Sequence, residues 1–405
     1  MEIPYKRVYA TIDLDAVAYN MERMRDNLPE GTGMMGVIKT DGYGHGAVPV
    51  AKAIAPYVNA YAVATVEEAL NLKKHGVEKP ILILGAVHES YYRELIKEEI
   101  RFPVFTMAQA ERVSETAASM NQRACIHLAV DTGMSRIGMR PDETSADMVL
   151  EFSRLPGLCV EGMFTHFAKA DERDKTSALR QVKSFREFVK LLEERGIDIP
   201  VKHIDNSAGI IDIPDVGFDM VRAGISIYGL YPSDEVKKTQ VPLRRVMELK
   251  SFITYIKDIG PGTEVSYGGT FVAERPMTIA TISVGYGDGY PRNLSGKGFV
   301  LIDGKRAPIL GRVCMDQLMA DVSHIPEAKE WNLVTLIGRD GEQEITVEEL
   351  AEISGGFHYE IICDIGKRVP RVYMRDGKIA GVKDYFQDRY EDFACITETE
   401  SPSYS

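Results

Sequence analysis

Over roughly the first 230 residues, short apolar runs alternate with amphipathic, charge-rich stretches. Eight runs stand out, ending near Ile38, Ala64, Leu84, Phe105, Val130, Thr165, Ile204 and Ala223. Between them lie patterns such as Val66–Lys74 and Ser184–Leu192, the second with apolar positions at helical spacing and charges on the opposite face. Strands that are apolar throughout are buried on both faces, so strand–helix repeats of this kind predict a parallel sheet covered by helices. Eight units predict an α/β fold, a closed (β/α)8 TIM-type barrel over 1–240. An open doubly wound sheet is the rival on pattern alone. In a barrel, chemistry gathers where strands end and loops begin.

From about Val241 the texture changes. Runs of β-branched and alternating residues (Met277–Val284, Gly298–Ile302, Leu333–Gly338) are separated by Gly, Asp and Pro turns, which predicts a mostly β second domain over 241–388. One helix is expected around Val347–Ile353. The first ten or so residues are free to pack on this second domain, and 389–405 form a polar, acidic tail.

The chain has 405 residues and a formal net charge of -12, which disfavours nucleic acid and anionic membrane surfaces as partners. No segment reaches the roughly 20 apolar residues that span a bilayer. The first residues lack the apolar core of a secretory signal. Five cysteines, odd in number and far apart, suggest neither a zinc site nor a disulfide framework, and no metal is expected. The expected compartment is the cytoplasm.

Within this frame, Gly36–Gly46 (GVIKTDGYGHG) places Lys39 directly after an apolar run. An ammonium there either snorkels out at the strand end or is kept for chemistry. Desolvation lowers a lysine pKa and favours the free amine that a Schiff base requires. The glycines and Tyr43 would let backbone and ring approach a bulky ligand. Arg136 follows the fifth run in DTGMSRIG, and His166 ends the sixth in MFTHFA. Considered singly, such an arginine also reads as a surface ion-pair member and such a histidine as a satisfied core residue. Ser207 follows the seventh run in DNSAG, a turn opening a helix whose free N–H groups suit an anion. Arg222, Gly224 and Ile225 follow the eighth in VRAGISIYG. In the β region, Tyr267 stands in a Gly-rich turn, EVSYGGT.

These segments, in this order, closely resemble the alanine racemases, and the resemblance runs to about residue 388. It implies that Lys39 holds pyridoxal 5'-phosphate and serves as the base on the D face of the substrate. It implies cofactor contacts for Tyr43, Arg136, His166, Ser207, Arg222, Gly224, Ile225 and Tyr359. Arg136, Met315 and Tyr286 would bind substrate, and Asp171, Arg292 and Arg312 would line an entrance corridor with Tyr286. Arg222 is the most diagnostic match, because it corresponds to the partner of the pyridine nitrogen. A guanidinium can only donate, so that nitrogen stays unprotonated and the carbanion is short-lived, as a racemase needs. Tyr267 matches the second base, on the L face, reaching the site from the other subunit of a head-to-tail homodimer. Met315, in GRVCMDQ, matches another partner-supplied piece.

Two segments depart from the family pattern. Many relatives carry a carbamylated lysine where this chain has Ala129, so a chloride or a water is expected near Arg136. The segment CDIGKRVP (Cys363–Pro370) carries charged residues at two unusual positions. The expected activity is alanine racemisation supplying D-alanine for peptidoglycan, with a serine or broader amino-acid racemase as the alternative. A barrel-type decarboxylase is disfavoured by Arg222, and a non-enzymatic cofactor carrier by Tyr267.

Overall fold

The apolar runs of the first half fold as eight parallel strands. The computed structural model describes residues 5–387, which fall into two units. One comprises Ile12–Met247 with Tyr373–Lys378; the other comprises Glu248–Val372 with the described residues 5–11 and 379–387.

After an N-terminal strand β1 (Tyr9–Asp13), the first unit contains β2 (Gly33–Val37), β3 (Ala60–Val63), β4 (Ile81–Ile83) and β5 (Phe102–Val104). It continues with β6 (Ala124–Ala129), β7 (Leu158–Phe164), β8 (Val201–His203) and β9 (Met220–Ala223). Their order is β4-β3-β2-β9-β8-β7-β6-β5. A parallel bridge between Leu82 and Arg101 joins the two ends, with Arg101 N donating to Ile81 O at 2.8 Å and Ile83 N to Arg101 O at 2.8 Å. The sheet is therefore a closed barrel, and each strand ends within one residue of the position expected from the sequence.

The helices outside the barrel follow the amphipathic pattern. Thr176–Glu193 buries Ala178, Val182, Phe185, Phe188 and Leu192, and leaves its charged face to solvent. Burying each phenylalanine contributes roughly 2–3 kcal/mol. Helix starts are fixed by side-chain caps: Asp13, Thr65, Thr106, Asp142 and Asn206 each accept from first-turn amides.

In the second unit the strands are β10 (Met247–Ile259), β11 (Glu264–Val265), β12 (Phe271–Val272), β13 (Met277–Ile282), β14 (Phe299–Ile302) and β15 (Lys305–Leu310). Then come β16 (Leu318–Asp321), β17 (Leu333–Asp340) and β18 (Gln343–Ile345), followed by β19 (Arg371–Arg375) and β20 (Lys378–Lys383), whose residues are divided between the two units. Ten strands make one sheet in the order β18-β17-β14-β15-β16-β13-β10-β1-β19-β20. The expected helix is Val347–Ser354, and a second, unexpected one follows at His358–Asp364. Among the described residues Cys125, Cys159, Cys314 and Cys363 form no disulfide, and no helix is long and apolar enough to cross a membrane. The tail expected over 389–405 lies outside the described residues.

Candidate active site

Lys39 is the second residue beyond β2 and opens a tight turn of uncommon hand. Thr40 (φ 54°, ψ 47°), Asp41 (φ 49°, ψ 50°) and Gly42 (φ 64°, ψ 44°) are left-handed, and Tyr43 (φ 50°) and Gly44 (φ 80°) continue with positive φ. L-residues enter this region at a cost of roughly 1–2 kcal/mol each, and usually singly. The run persists because its polar groups are answered. Gly42 N donates to Ile38 O at 2.9 Å, Gly44 N to Thr40 O at 3.0 Å and Gly46 N to Asp41 O at 2.7 Å. The Asp41 carboxylate accepts from Ala47 N at 2.8 Å. Glu68, whose other oxygen closes a capping box with Thr65, accepts from Thr40 N at 2.5 Å. Gly46 is required for a different reason: a Cβ there would fall 2.0 Å from the Tyr373 hydroxyl, which donates to His45 O.

Arg222 lies buried at the end of β9. Its Nη1 donates to His203 Nδ1 at 2.7 Å and His203 O at 3.1 Å. Its Nη2 reaches Thr165 O at 2.8 Å, Ile204 O at 2.9 Å and His166 Nδ1 at 3.0 Å. No hydrogen bond from Nε occurs among the described residues, so one donor remains for a ligand. Because a guanidinium only donates, His166 Nδ1 must accept and its proton sits on Nε2. Burial first, then the charges of Arg222, Arg136 and Lys39, bring the His166 pKa down to about 3. Burial also brings Arg222 down to about 10, leaving it cationic at neutral pH. Asp205, buried with no hydrogen bond to either carboxylate oxygen among the described residues, is pushed up to about 7 by burial, against the pull of Arg222. Lys39, Arg136, His166 and Arg222 thus share one positively charged neighbourhood.

A second group converges beside it. Ser207 Oγ, at the start of the helix Ser207–Asp212, accepts from Gly224 N at 3.0 Å and Ser226 N at 3.3 Å. A Cβ added at Gly224 would stand 3.4 Å from the Tyr43 hydroxyl and 3.6 Å from Ser207 Oγ. Gly224 and Ile225 open the turn Ile225–Tyr228, where the first amides have no partner within the turn. Two hydroxyls, first-turn amides and a missing side chain make a cradle for a tetrahedral anion.

The remaining expected residues lie elsewhere. Asp171 is in the first unit, its carbonyl accepting from Ser233 Oγ at 2.6 Å. In the second unit, Tyr267 is 70% exposed, Met315 51% and Tyr286 41%. They share one face: Tyr286 N donates to Cys314 O, Gly287 N to Met315 O, and the Arg312 guanidinium lies against Gly268. An open cleft of about 530 Å³ is lined there by Tyr267, Gly268, Cys314 and Met315, among others. Arg292 is exposed in the turn Arg292–Leu294, and Tyr359 stacks on Phe357 at 4.6 Å in the helix His358–Asp364.

Sequence reasoning missed several supporting groups. Glu68 stood only as one residue of the helical pattern Val66–Lys74. Buried Gln181 ties the loops after β6 and β7, donating to Thr132 Oγ1 and His166 O and accepting from Ala168 N. Buried His127 is a lone polar letter inside the apolar strand β6, and buried His203 ends the short strand β8 next to Lys202, so neither stood out in the sequence.

A closed barrel with a lysine, an anion cradle and a donor-only guanidinium at its strand ends defines an α/β-barrel enzyme site. The chain matches the N-terminal domain of alanine racemase over residues 12–232 and the C-terminal domain over 246–373. It is 44% identical over 380 residues to the alanine racemase of Clostridium tetani, covering 93% of this chain and 98% of that one. Among solved structures, the alanine racemase of Clostridium difficile 630 superposes with a TM-score of 0.91 at 39% identity, over 95% of this chain and all of that one. The Bartonella henselae alanine racemase, solved with covalently bound pyridoxal phosphate, gives 0.80 at 27% identity, over 91% of this chain and 100% of that one. The chain belongs to the alanine racemase family and is an amino-acid isomerase. Its residues fit the pyridoxal phosphate of that family: the cradle could take a phosphate, Lys39 could supply an amine, and Arg222 has one donor left that could meet a ring nitrogen.

Proposed function

We propose that this enzyme interconverts L- and D-alanine with pyridoxal 5'-phosphate held by Lys39, and that each site is shared between two subunits. The observation that carries the reading is Arg222, locked by five acceptors with Nε still free, beside Lys39 and His166. Tyr43, Ser207, Gly224 and Ile225 would hold the phosphate, with Tyr359 closing over it and limiting the side chain to a methyl group. The cofactor would act as an electron sink that acidifies the substrate Cα–H. Lys39 Nζ would take or give the Cα proton on the D face. The Tyr267 hydroxyl of the partner subunit would do the same on the L face. A donor-only arginine keeps the sink weak, so the proton returns before other chemistry competes. Arg136 and Met315 would bind the substrate carboxylate, with an anion such as chloride beside Arg136 where Ala129 replaces a longer side chain. The exposure of Tyr267, Met315 and Tyr286 in the single chain supports a head-to-tail dimer whose corridor also includes Asp171, Arg292 and Arg312. D-alanine for peptidoglycan, made in the cytoplasm, is the expected product.

Loss of deuterium from Cα-labelled L-alanine, with pyridoxal phosphate present, tests the activity; no release refutes it. Rates on serine and lysine, and carbon dioxide release, separate the broader racemase and the decarboxylase. For the shared site, Lys39→Ala and Tyr267→Phe chains are each expected to be inactive. Randomly reassembled together, half of the dimers are mixed and each has one intact site, so about a quarter of wild-type activity should return. No recovery would refute the shared site.

A further inference from the structure

Below Arg222 a line of polar side chains runs down the barrel interior. His203 Nε2 lies 3.0 Å from His127 Nδ1, and His127 Nε2 lies 3.5 Å from a Glu161 oxygen. Glu161 accepts two bonds from Arg101, Nε at 2.8 Å and Nη2 at 2.9 Å. The strand register places these groups progressively nearer the N-terminal ends of the strands: His203 is level with Phe164, His127 with Gly162, and Arg101 precedes the Phe102–Ile126 pair. Gly162 makes the room, since a Cβ there would fall 2.5–2.9 Å from the His127 ring.

The ends of this column dictate every proton within it. Arg222 only donates, so His203 Nδ1 must accept and its proton is on Nε2. That proton points at His127 Nδ1, which must accept in turn, leaving His127 Nε2–H aimed at Glu161. Glu161, held down to about 2 first by its Arg101 bonds and then by His127, is an anion that only accepts. Burial moves both histidines downward, so each is neutral and has one donor and one acceptor. The bonds therefore all point one way, from Arg222 to Glu161.

We propose that Glu161 and His127 are positioning residues for Arg222, acting through the tautomer of His203, which fixes the lone pair that anchors the guanidinium. This rests on Arg222 facing the cofactor ring nitrogen. A carboxylate that fixes a histidine tautomer two groups from the chemistry is an effective lever on turnover. The rival is a packing device that merely stabilises the barrel.

Glu161→Gln separates them. Glu161 Oε2 takes Arg101 Nε and faces His127 Nε2 while Oε1 takes Arg101 Nη2, so an amide has one oxygen for three donors. With that oxygen held by Nη2, the NH2 stands at the Oε2 position and sets donor against donor at His127. Adding Arg101→Leu frees that oxygen to face His127 and restores the direction. The readout is the two-bond proton–nitrogen correlation pattern of 15N-histidine in the full-length protein, with and without added pyridoxal phosphate. Wild type should show His127 and His203 as neutral Nε2–H forms. Glu161→Gln should switch at least one to Nδ1–H, and the double variant should switch it back. Gly162→Ala, which displaces the His127 ring, is the second route to the same change at His203 if Glu161→Gln does not fold. Turnover in Glu161→Gln should fall on the order of tenfold or more while the alanine KM stays within about threefold, and the double variant should recover most of it. Unchanged tautomers in Glu161→Gln, or a double variant less active than the single, would overturn the proposal. An inactive wild type with the stated tautomers would remove the racemase reading and leave the column standing.

Discussion

Thr40 is the most costly member of the left-handed turn, and replacing it tests the account of that turn. A β-branched residue at φ 54°, ψ 47° crowds its Cβ substituents against its own backbone. The side chain is exposed and makes no hydrogen bond among the described residues, while its amide is held by Glu68. Thr40→Gly therefore changes only backbone energetics. Relief of left-handed crowding is worth roughly 1–2 kcal/mol. The extra freedom of glycine in the unfolded chain costs about 0.5–1 kcal/mol. The net expectation is a stabilisation of about 0.5–1 kcal/mol. Local opening is read by hydrogen exchange of the Gly42, Gly44 and Gly46 amides, whose acceptors lie within the segment Ile38–Asp41. Exchange should slow by about two- to fivefold, with Thr40→Ala intermediate because it removes only the branching. Faster exchange in Thr40→Gly would show that the threonine stabilises this conformation, and the strain argument would be wrong.

Three further outcomes follow from buried polar groups. Tyr290 is buried with no hydrogen-bond partner for its hydroxyl among the described residues, so Tyr290→Phe should raise stability by about 1 kcal/mol in urea unfolding; a loss of stability would reveal a hidden partner. Asp288 accepts both Arg7 donors at 2.7 Å and the Gly285 amide at 3.0 Å while almost fully buried, so Asp288→Ala should cost about 2–3 kcal/mol, discounted because Arg7 is partly exposed. Asp288→Asn, which keeps an acceptor for Gly285, should cost less, and equal losses would argue against the bidentate pair. His166 titrates near 3 in the fold and near 6.5 when unfolded, so its contribution is complete above about pH 6.5 and is lost as pH falls toward 3. By pH 5 the loss should be about 2 kcal/mol, His127 and His203 adding to it in the same sense. His166→Gln should reduce the slope of unfolding free energy against pH by about one proton at pH 5; an unchanged slope would mean the ring is already charged in the fold.

What the sequence showed and what it hid divide along a physical line. The barrel strands were legible because a strand buried on both faces leaves an almost unbroken apolar run, and each run stops where a polar loop begins. The helix Val347–Ser354 was legible from its apolar spacing. His358–Asp364 was not, because seven residues with only Ile361 and Ile362 buried carry too short a period. Lys39, Arg136, His166 and Arg222 were legible as polar residues at strand ends, and the fold brings them into one charged neighbourhood. The left-handed turn was hidden, since Thr40, Asp41 and Tyr43 carry no sign of positive φ beyond the glycines among them. The Glu161–His127–His203 line was hidden for a related reason. Glu161 and His127 are lone polar letters in apolar strands and His203 follows Lys202 in the short strand β8, so only barrel closure sets the three letters in register.

The column also accounts for how the site tolerates so much positive charge. Burying a guanidinium is costly unless its donors are met, and a carboxylate would meet them most cheaply. Here the acceptors are three backbone carbonyls and two neutral imidazoles, none of which cancels the charge. Asp205, a buried carboxylate nearby, is pushed toward its neutral form. The compensating anion, Glu161, stands two histidines away and is itself paired with Arg101. Satisfaction and neutralisation are thus separated: Arg222 is held firmly, yet its charge, with those of Lys39 and Arg136, stays directed at the strand ends. A neighbouring carboxylate would hold Arg222 equally well but would quench the field that the proposed phosphate-bearing cofactor and carboxylate substrate would both use. The neutral imidazoles are therefore part of the electrostatics of the site as well as part of its scaffold.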